Sequence, residues 1–193
     1  MANRSRPPPT PHIRQVQSAD LEPLKLFLGE LSPGSLYFRF GRPHVPLWSD
    51  QHWSELCQPD TTHTIGLVAT EVVAPGRYAV VGMARLITDA SRQNAEFSMV
   101  LADRKQHLGI GTQIMHALVV QAQRRALTTI YGDVLPTNHA MIRFCEGLGM
   151  EIVDCPDDAR VHRMVFHIQS PSRIVNRTIA AQASNPCTGM RAS

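Results

Sequence analysis

The chain has 193 residues, 43% of them hydrophobic, and no run of 18 apolar residues, so one globular domain and no membrane span are expected. Its formal net charge of +3 does not describe a basic binding face. Arg4, Arg6, Arg14, Arg173, Arg177 and Arg191 lie in two ends that hold no acid, while all 16 Asp and Glu fall between residues 20 and 168. A mildly acidic body with basic ends argues against nucleic acid as a partner.

Residues 1–10 read as a disordered Pro-rich arm, and the start "MANRSRPPPTPH" lacks the apolar stretch of a signal peptide. "HIRQVQ" (12–17) reads as a short strand. A helix follows from Asp20, with Leu21, Leu24, Phe27, Leu28 and Leu31 at helical spacing. "SPGSLYFRFGRP" (32–43) reads as a turn and an aromatic segment. "SDQHWSELCQ" (49–58) reads as a second helix capped by Ser49 or Asp50. Strands are expected at 63–73, 79–88 and 94–102, the first two joined by a Pro75-Gly76 turn. A helix over about 110–126 buries Ile110, Ile114, Ala117, Leu118 and Ala122. A strand at 129–135, a helix from Asn138 to Gly147 or Gly149, and strands at 151–155 and 159–168 complete the order. Residues 169–193 read as a disordered basic tail. Cys57, Cys145, Cys155 and Cys187 form no C-x-x-C, and the nine histidines form no H-E-x-x-H. Neither a metal site nor a disulfide framework is expected, and a reducing cytoplasm is the expected compartment.

Gln106-His107-Leu108-Gly109-Ile110-Gly111-Thr112 joins a strand to the 110–126 helix. A glycine within a helix start costs about 0.5–1 kcal/mol relative to alanine. On the residues alone two readings stand: a tight turn with no ligand, or a bare backbone that lets an anion reach the unpaired N–H groups of a helix N-terminus. It is not a P-loop, because Thr112-Gln113 follows Gly111. Nor is it a dinucleotide fingerprint, because Ile114 takes the third glycine's place and the strand before it belongs to an antiparallel run.

Q-x-x-G-x-G at this junction resembles the acyl-CoA loop of the GNAT N-acetyltransferases, and N-H-A-M-I-R-F-C-E-G-L-G-M at 138–150 is similar to the family's second signature. The resemblance covers about residues 11–168. It implies an α/β (α+β) GNAT fold: a mixed, mostly antiparallel sheet of about seven strands splayed between the fourth and fifth, with about four helices. It implies acetyl-CoA as cosubstrate and no metal. Met99, Val100 and Leu101 would line the pantetheine arm, with Met99 and Leu101 pairing through their backbone. Gln106, His107, Leu108, Gly109, Ile110, Gly111 and Thr112 would hold the pyrophosphate, and Asn138 would touch the arm from the other side. Arg143 would reach the CoA phosphates or form a surface salt bridge.

A narrower likeness joins A-R-L-I-T-D, A-E-F-S-M-V-L, Q-H-L-G-I-G and L-S-P-G-S-L-Y-F-R-F to bacterial protein lysine acetyltransferases that act on acyl-CoA synthetases. It implies a protein lysine as acceptor, an acyl-CoA synthetase as partner, and Glu96 as general base. A lysine amine has an unperturbed pKa of about 10.4, so a nearby base assists its attack on a thioester. Glu96 is a carboxylate within an apolar strand, where partial burial would raise its pKa; the other reading is a solvated residue near a hairpin. The oxyanion would be held by a backbone N–H around Met99–Leu101.

Two departures from the family pattern stand out. Cys145 takes the place of the usual tyrosine acid, as a weak thiol acid or as a buried core residue. Lys105 stands where the family often has an aromatic residue. Trp48, Trp53, Tyr37 and Phe38 read as core aromatics or as an acceptor wall, and Asp157 and Asp158 as a polar turn or a cation-binding pair. A small-molecule amine acetyltransferase, a non-catalytic acyl-CoA-binding module and a homodimer remain open.

Overall fold

The strands are β1 (His12–Gln15), β2 (Thr64–Ala74), β3 (Arg77–Thr88), β4 (Asn94–Leu101), β5 (Thr129–Val134), β6 (Glu151–Asp154) and β7 (His162–His167). They form one sheet in the order β1-β2-β3-β4-β5-β7-β6 in the computed structural model, which describes residues 11–59, 62–156 and 158–168. The expected terminal disorder at 1–10 and 169–193 lies outside the described residues. Among the described residues five α-helices flank the sheet: α1 (Leu21–Gly29), α2 (Pro33–Phe40), α3 (Asp50–Cys57), α4 (Ile110–Arg124) and α5 (His139–Gly147). Central strands covered on both faces lose the alternating pattern, and β2 is buried without a break from Thr64 to Thr70. One core lies between the sheet and α4 and α5, around Ile114, Met115, Leu118, Ile130 and Phe166. The second lies under α1, α2 and α3, around Leu24, Leu28, Met83 and Val100.

The helix α2 corrects the expected turn and aromatic segment at 32–43. Ser32 caps it by accepting from Ser35 N, Pro33 stands in its first turn, and Gly41 ends it in the left-handed region at φ 70°. Tyr37, Phe38 and Phe40 suggest strand by composition; the caps on both sides prevail.

All neighbouring strands pair antiparallel except β4 and β5, which run parallel for only three residues, ending at Glu96 opposite Tyr131. Beyond Glu96 the two strands diverge. Gly132 helps to hold the wedge, because a Cβ there would lie 2.5 Å from Phe97 Cε1. The Gly132→Ala substitution is therefore expected to lose about 1–3 kcal/mol in denaturant unfolding through overpacking; unchanged stability would show that the Phe97 ring is free to move aside.

Asp20 fastens the start of α1 to the sheet. It is fully buried, and Arg14 donates to both its oxygens at 2.7 Å. Gln17 N donates at 2.8 Å and the Tyr78 hydroxyl at 2.7 Å. Burial alone would push this carboxyl up; the bonds from Arg14, Tyr78 and Gln17 outweigh it and hold the pKa below the usual range.

Candidate functional site

Backbone direction alternates along a strand, so each residue of β4 turns its N–H and C=O to one neighbour or the other. Ala102 N donates to Val81 O and Asp89 N donates to Asn94 O, which assigns the even-numbered residues to β3. Phe97, Met99 and Leu101 then turn their backbone groups toward β5, which has already diverged. Val100 departs from the expected trio: its backbone faces β3 and its side chain lies in the helix-side core. The splay thus leaves a gap edged by the peptide groups of Met99 and Leu101.

The gap leads to the glycine loop. Gly109 is the N-cap of α4 at φ 78°, and no side chain caps that end, so the first-turn N–H groups stay available. His107 is also left-handed at φ 60°. His107, Leu108 and Gly109 are exposed, whereas Ile110 and Gly111 are buried, so Ile110 has only its backbone to offer a ligand. Gly111 leaves room for Phe144, whose ring a Cβ would meet at 3.4 Å. Thr112 is half-buried in the first turn of α4.

The segment before the loop is pinned to α2. Asp103 accepts from Ser32 N at 2.9 Å, Ser32 Oγ at 2.7 Å and Ser35 Oγ at 2.8 Å, and Gln106 Nε2 donates to Ser35 Oγ at 3.3 Å. Lys105 forms a 2.6 Å ion pair with Glu71. These ties bring the end of β4, the loop and α2 into one rigid corner. Across the gap, Asn138 Oδ1 accepts from Met141 N at 3.2 Å and caps α5, leaving its amide NH2 as a donor. Arg143 is exposed on α5.

Glu96 lies where β4 and β5 part. The Ile87, Glu96 and Tyr131 row shares a face with Arg85, Ser98, Asp133 and Arg163, the face that α1, α2 and α3 cover farther along. Glu96 is open to solvent, yet lost hydration is the largest cause raising its carboxyl pKa; Asp133 adds to it, and Arg39 and Arg163 oppose it. Burial also raises Tyr131, and Glu96 adds to that shift. Arg163 grips Asp133 through Nε at 2.8 Å and Nη2 at 2.9 Å while its guanidinium lies 4.6 Å from the Tyr131 ring.

Sequence reading missed Tyr131, Asp133, Arg163, Arg39 and Arg85 as companions of Glu96. The alternation in "TIYGDV" gives the faces of Tyr131 and Asp133, but only sheet order puts them beside Glu96. Cys145 is fully buried in the α4-side core, where burial pushes its thiol up to about 12. It packs as a core residue. Trp48 and Trp53 pack edge to face at 4.7 Å against the helix-side core, while Tyr37 and Phe38 are exposed. Asp158 accepts from Arg160 in a polar turn; Asp157 lies outside the described residues. Among the described residues no His, Cys, Asp and Glu cluster suits a metal, and no helix is long and apolar enough to cross a membrane.

The model of the acetyltransferase (GNAT) family matches residues 34–150. The chain is 28% identical over 156 residues to acetyltransferase PA5475 of Pseudomonas aeruginosa, covering 80% of this chain and 83% of that protein. Its fold is similar to the GNAT domain of S. lividans PAT, with a TM-score of 0.72 at 22% identity, covering 81% of this chain and 90% of that one. It is also similar to spermidine N-acetyltransferase from Vibrio cholerae in complex with CoA and spermine, with a TM-score of 0.63 at 17% identity, covering 82% and 95%.

Proposed function

The chain belongs to the GNAT family of acetyltransferases, and from that premise we propose that it transfers acetyl from acetyl-CoA to a primary amine, with Glu96 as general base and a protein lysine as acceptor. The observation that carries this reading is the position of Glu96 at the end of the three-residue β4–β5 pairing, where the open peptide edge begins.

The residues fit the cosubstrate. An extended chain bearing amides matches the backbone groups of Met99 and Leu101, and a pyrophosphate matches the uncapped N-terminus of α4 behind Gln106–Thr112. Asn138 offers its amide NH2 from the α5 side, and Arg143 an exposed cation. Bound acetyl-CoA supplies an acetyl group activated as a thioester. The chain's own residues do the rest. Glu96 accepts the proton that the amine must lose to become a nucleophile, and its raised pKa brings it nearer the working pH of a base. The α2 corner holds the loop and β4 in fixed relation, so amine and thioester meet in one geometry.

A lysine of an acyl-CoA synthetase is the favoured acceptor on the residue likeness at 31–40 and around Glu96. The rival, a polyamine, has a likeness of fold in the Vibrio cholerae enzyme, but the charge of Arg39, which reaches Glu96 and is in no ion pair among the described residues, disfavours a polycation. Intact-mass measurement of a purified acyl-CoA synthetase incubated with acetyl-CoA, with and without this protein, tests the choice. One protein-dependent acetyl addition at the active-site lysine is expected. No added mass, with CoA release from small amines, would make the acceptor a small molecule. CoA binding without release for every acceptor would make the chain a binding module.

A further inference from the structure

Arg39 lies in the last turn of α2 and Arg85 stands in β3, and the Nε of each is buried without a hydrogen-bond partner. Among the described residues no carboxylate forms an ion pair with either. The Arg39 guanidinium lies 4.8 Å from the Phe40 ring, and Arg85 borders a small apolar void with Leu24, Leu56 and Met83. Burial first, and then the charge of Arg85, lower the pKa of Arg39 to about 10. Burial likewise lowers Arg85, and the charge of Glu55 opposes it without forming an ion pair. Both side chains are half-buried, and two like charges partly desolvated and set near each other are unfavourable unless an anion joins them.

Their position relates them to the proposed base. Arg85 pairs with Ser98, which makes Glu96 its diagonal cross-strand neighbour at about 7–8 Å. The charge of Arg39 reaches both Glu96 and Arg85. Guanidinium groups are suited by shape and charge to the two oxygens of a carboxylate. We infer that Arg39 and Arg85 form a carboxylate-binding site beside Glu96, and that the amine acceptor carries a carboxylate a few bonds from its nucleophilic nitrogen. This rests on the acetyl-transfer reading for the role of Glu96, whereas the anion site itself needs no turnover. The carboxylate has two sources: the α-carboxylate of a free amino acid, or an acidic side chain flanking a lysine in a protein.

Calorimetric titration of the full chain tests the site. One arm compares Nα-acetyl-lysine with its amide; the other compares acetyl-Lys-Glu-amide with acetyl-Lys-Gln-amide. Charge-assisted hydrogen bonds predict a preference for the carboxylate of about tenfold or more in one arm. The preference is expected to vanish in Arg85→Met and Arg39→Met and to return in part in Arg85→Lys. Both Met variants remove a half-buried charge that forms no ion pair and are expected to melt no lower than the parent. Preference in the first arm assigns a free amino acid; preference in the second assigns an acidic protein segment. Equal binding in both arms, no measurable binding of either carboxylate ligand, or a preference that survives both Met variants overturns the site. CoA release measured alongside separates the two ideas. Carboxylate preference without release removes the acetyl-transfer reading and leaves the anion site, and release without preference does the reverse.

Discussion

Replacing Glu96 with glutamine is expected to lower kcat/KM for amine acetylation by about 10²–10⁴-fold, the usual contribution of a positioned general base. CoA binding is expected to stay unchanged, because the proposed cofactor contacts lie on Met99, Leu101 and the start of α4, away from the Glu96 side chain. The pH profile gives a second signature. A base must be unprotonated to act, and the pKa of Glu96, though the residue is exposed, is raised by lost hydration first and by Asp133 second. Activity of the parent protein should therefore fall on the acid side, with a midpoint above the ordinary glutamate value, and that limb should be missing from the residual activity of the Gln variant. Steady-state kinetics across pH, with CoA titration of both proteins, measures all three quantities. Full turnover in Glu96→Gln would remove the base assignment and turn attention to Tyr131, the residue opposite Glu96 on β5.

Asp20→Ala is expected to give the largest loss of stability. It leaves the partly buried Arg14 without its counter-ion and the Tyr78 hydroxyl without its acceptor. Breaking such a pair from one side costs about 3–5 kcal/mol, or a fall in Tm of roughly 10 °C for a domain of this size. The sign of the pH dependence follows from the lowered pKa. A carboxylate whose pKa is lower folded than unfolded contributes stability above the unfolded value, about 3.9, and loses it as pH falls through the folded value. The parent should lose this contribution in acid, and the gap between parent and Asp20→Ala should narrow there. Thermal melts at neutral and acid pH check both parts. A gap that widened in acid would mean that Asp20 is not held as an ion pair.

The contrast between the helices α2 and α5 shows where reading a sequence succeeds. Asn138 announces α5 from within a clear helical pattern, and its side chain caps that helix. The cap of α2 is as well formed, but three aromatic residues follow it, and the strand preference of their side chains obscures the Ser-Pro start and the Gly41 stop. Val100 shows a different limit. Its neighbours Met99 and Leu101 face the gap, and only the hydrogen bonds to β3 tell which residues of β4 turn which way.

What the sequence by itself determined is local: seven strands, the helix behind the glycine loop, the cap at Asn138, and a carboxylate at position 96 inside an apolar strand. Each depends on residues a few positions apart, through side-chain period, capping and backbone freedom. Only the tertiary structure decided what surrounds that carboxylate. Tyr131, Asp133 and Arg163 reach Glu96 through the order and register of β4, β5 and β7, and Arg39 comes to it from α2 on the covering layer. Strand pairing joins residues tens of positions apart, and no local pattern records which will meet. Burial acts in the same way on Cys145. The chain left it a choice between acid and core residue, and the packing of α5 against the sheet removed it from solvent and made it core.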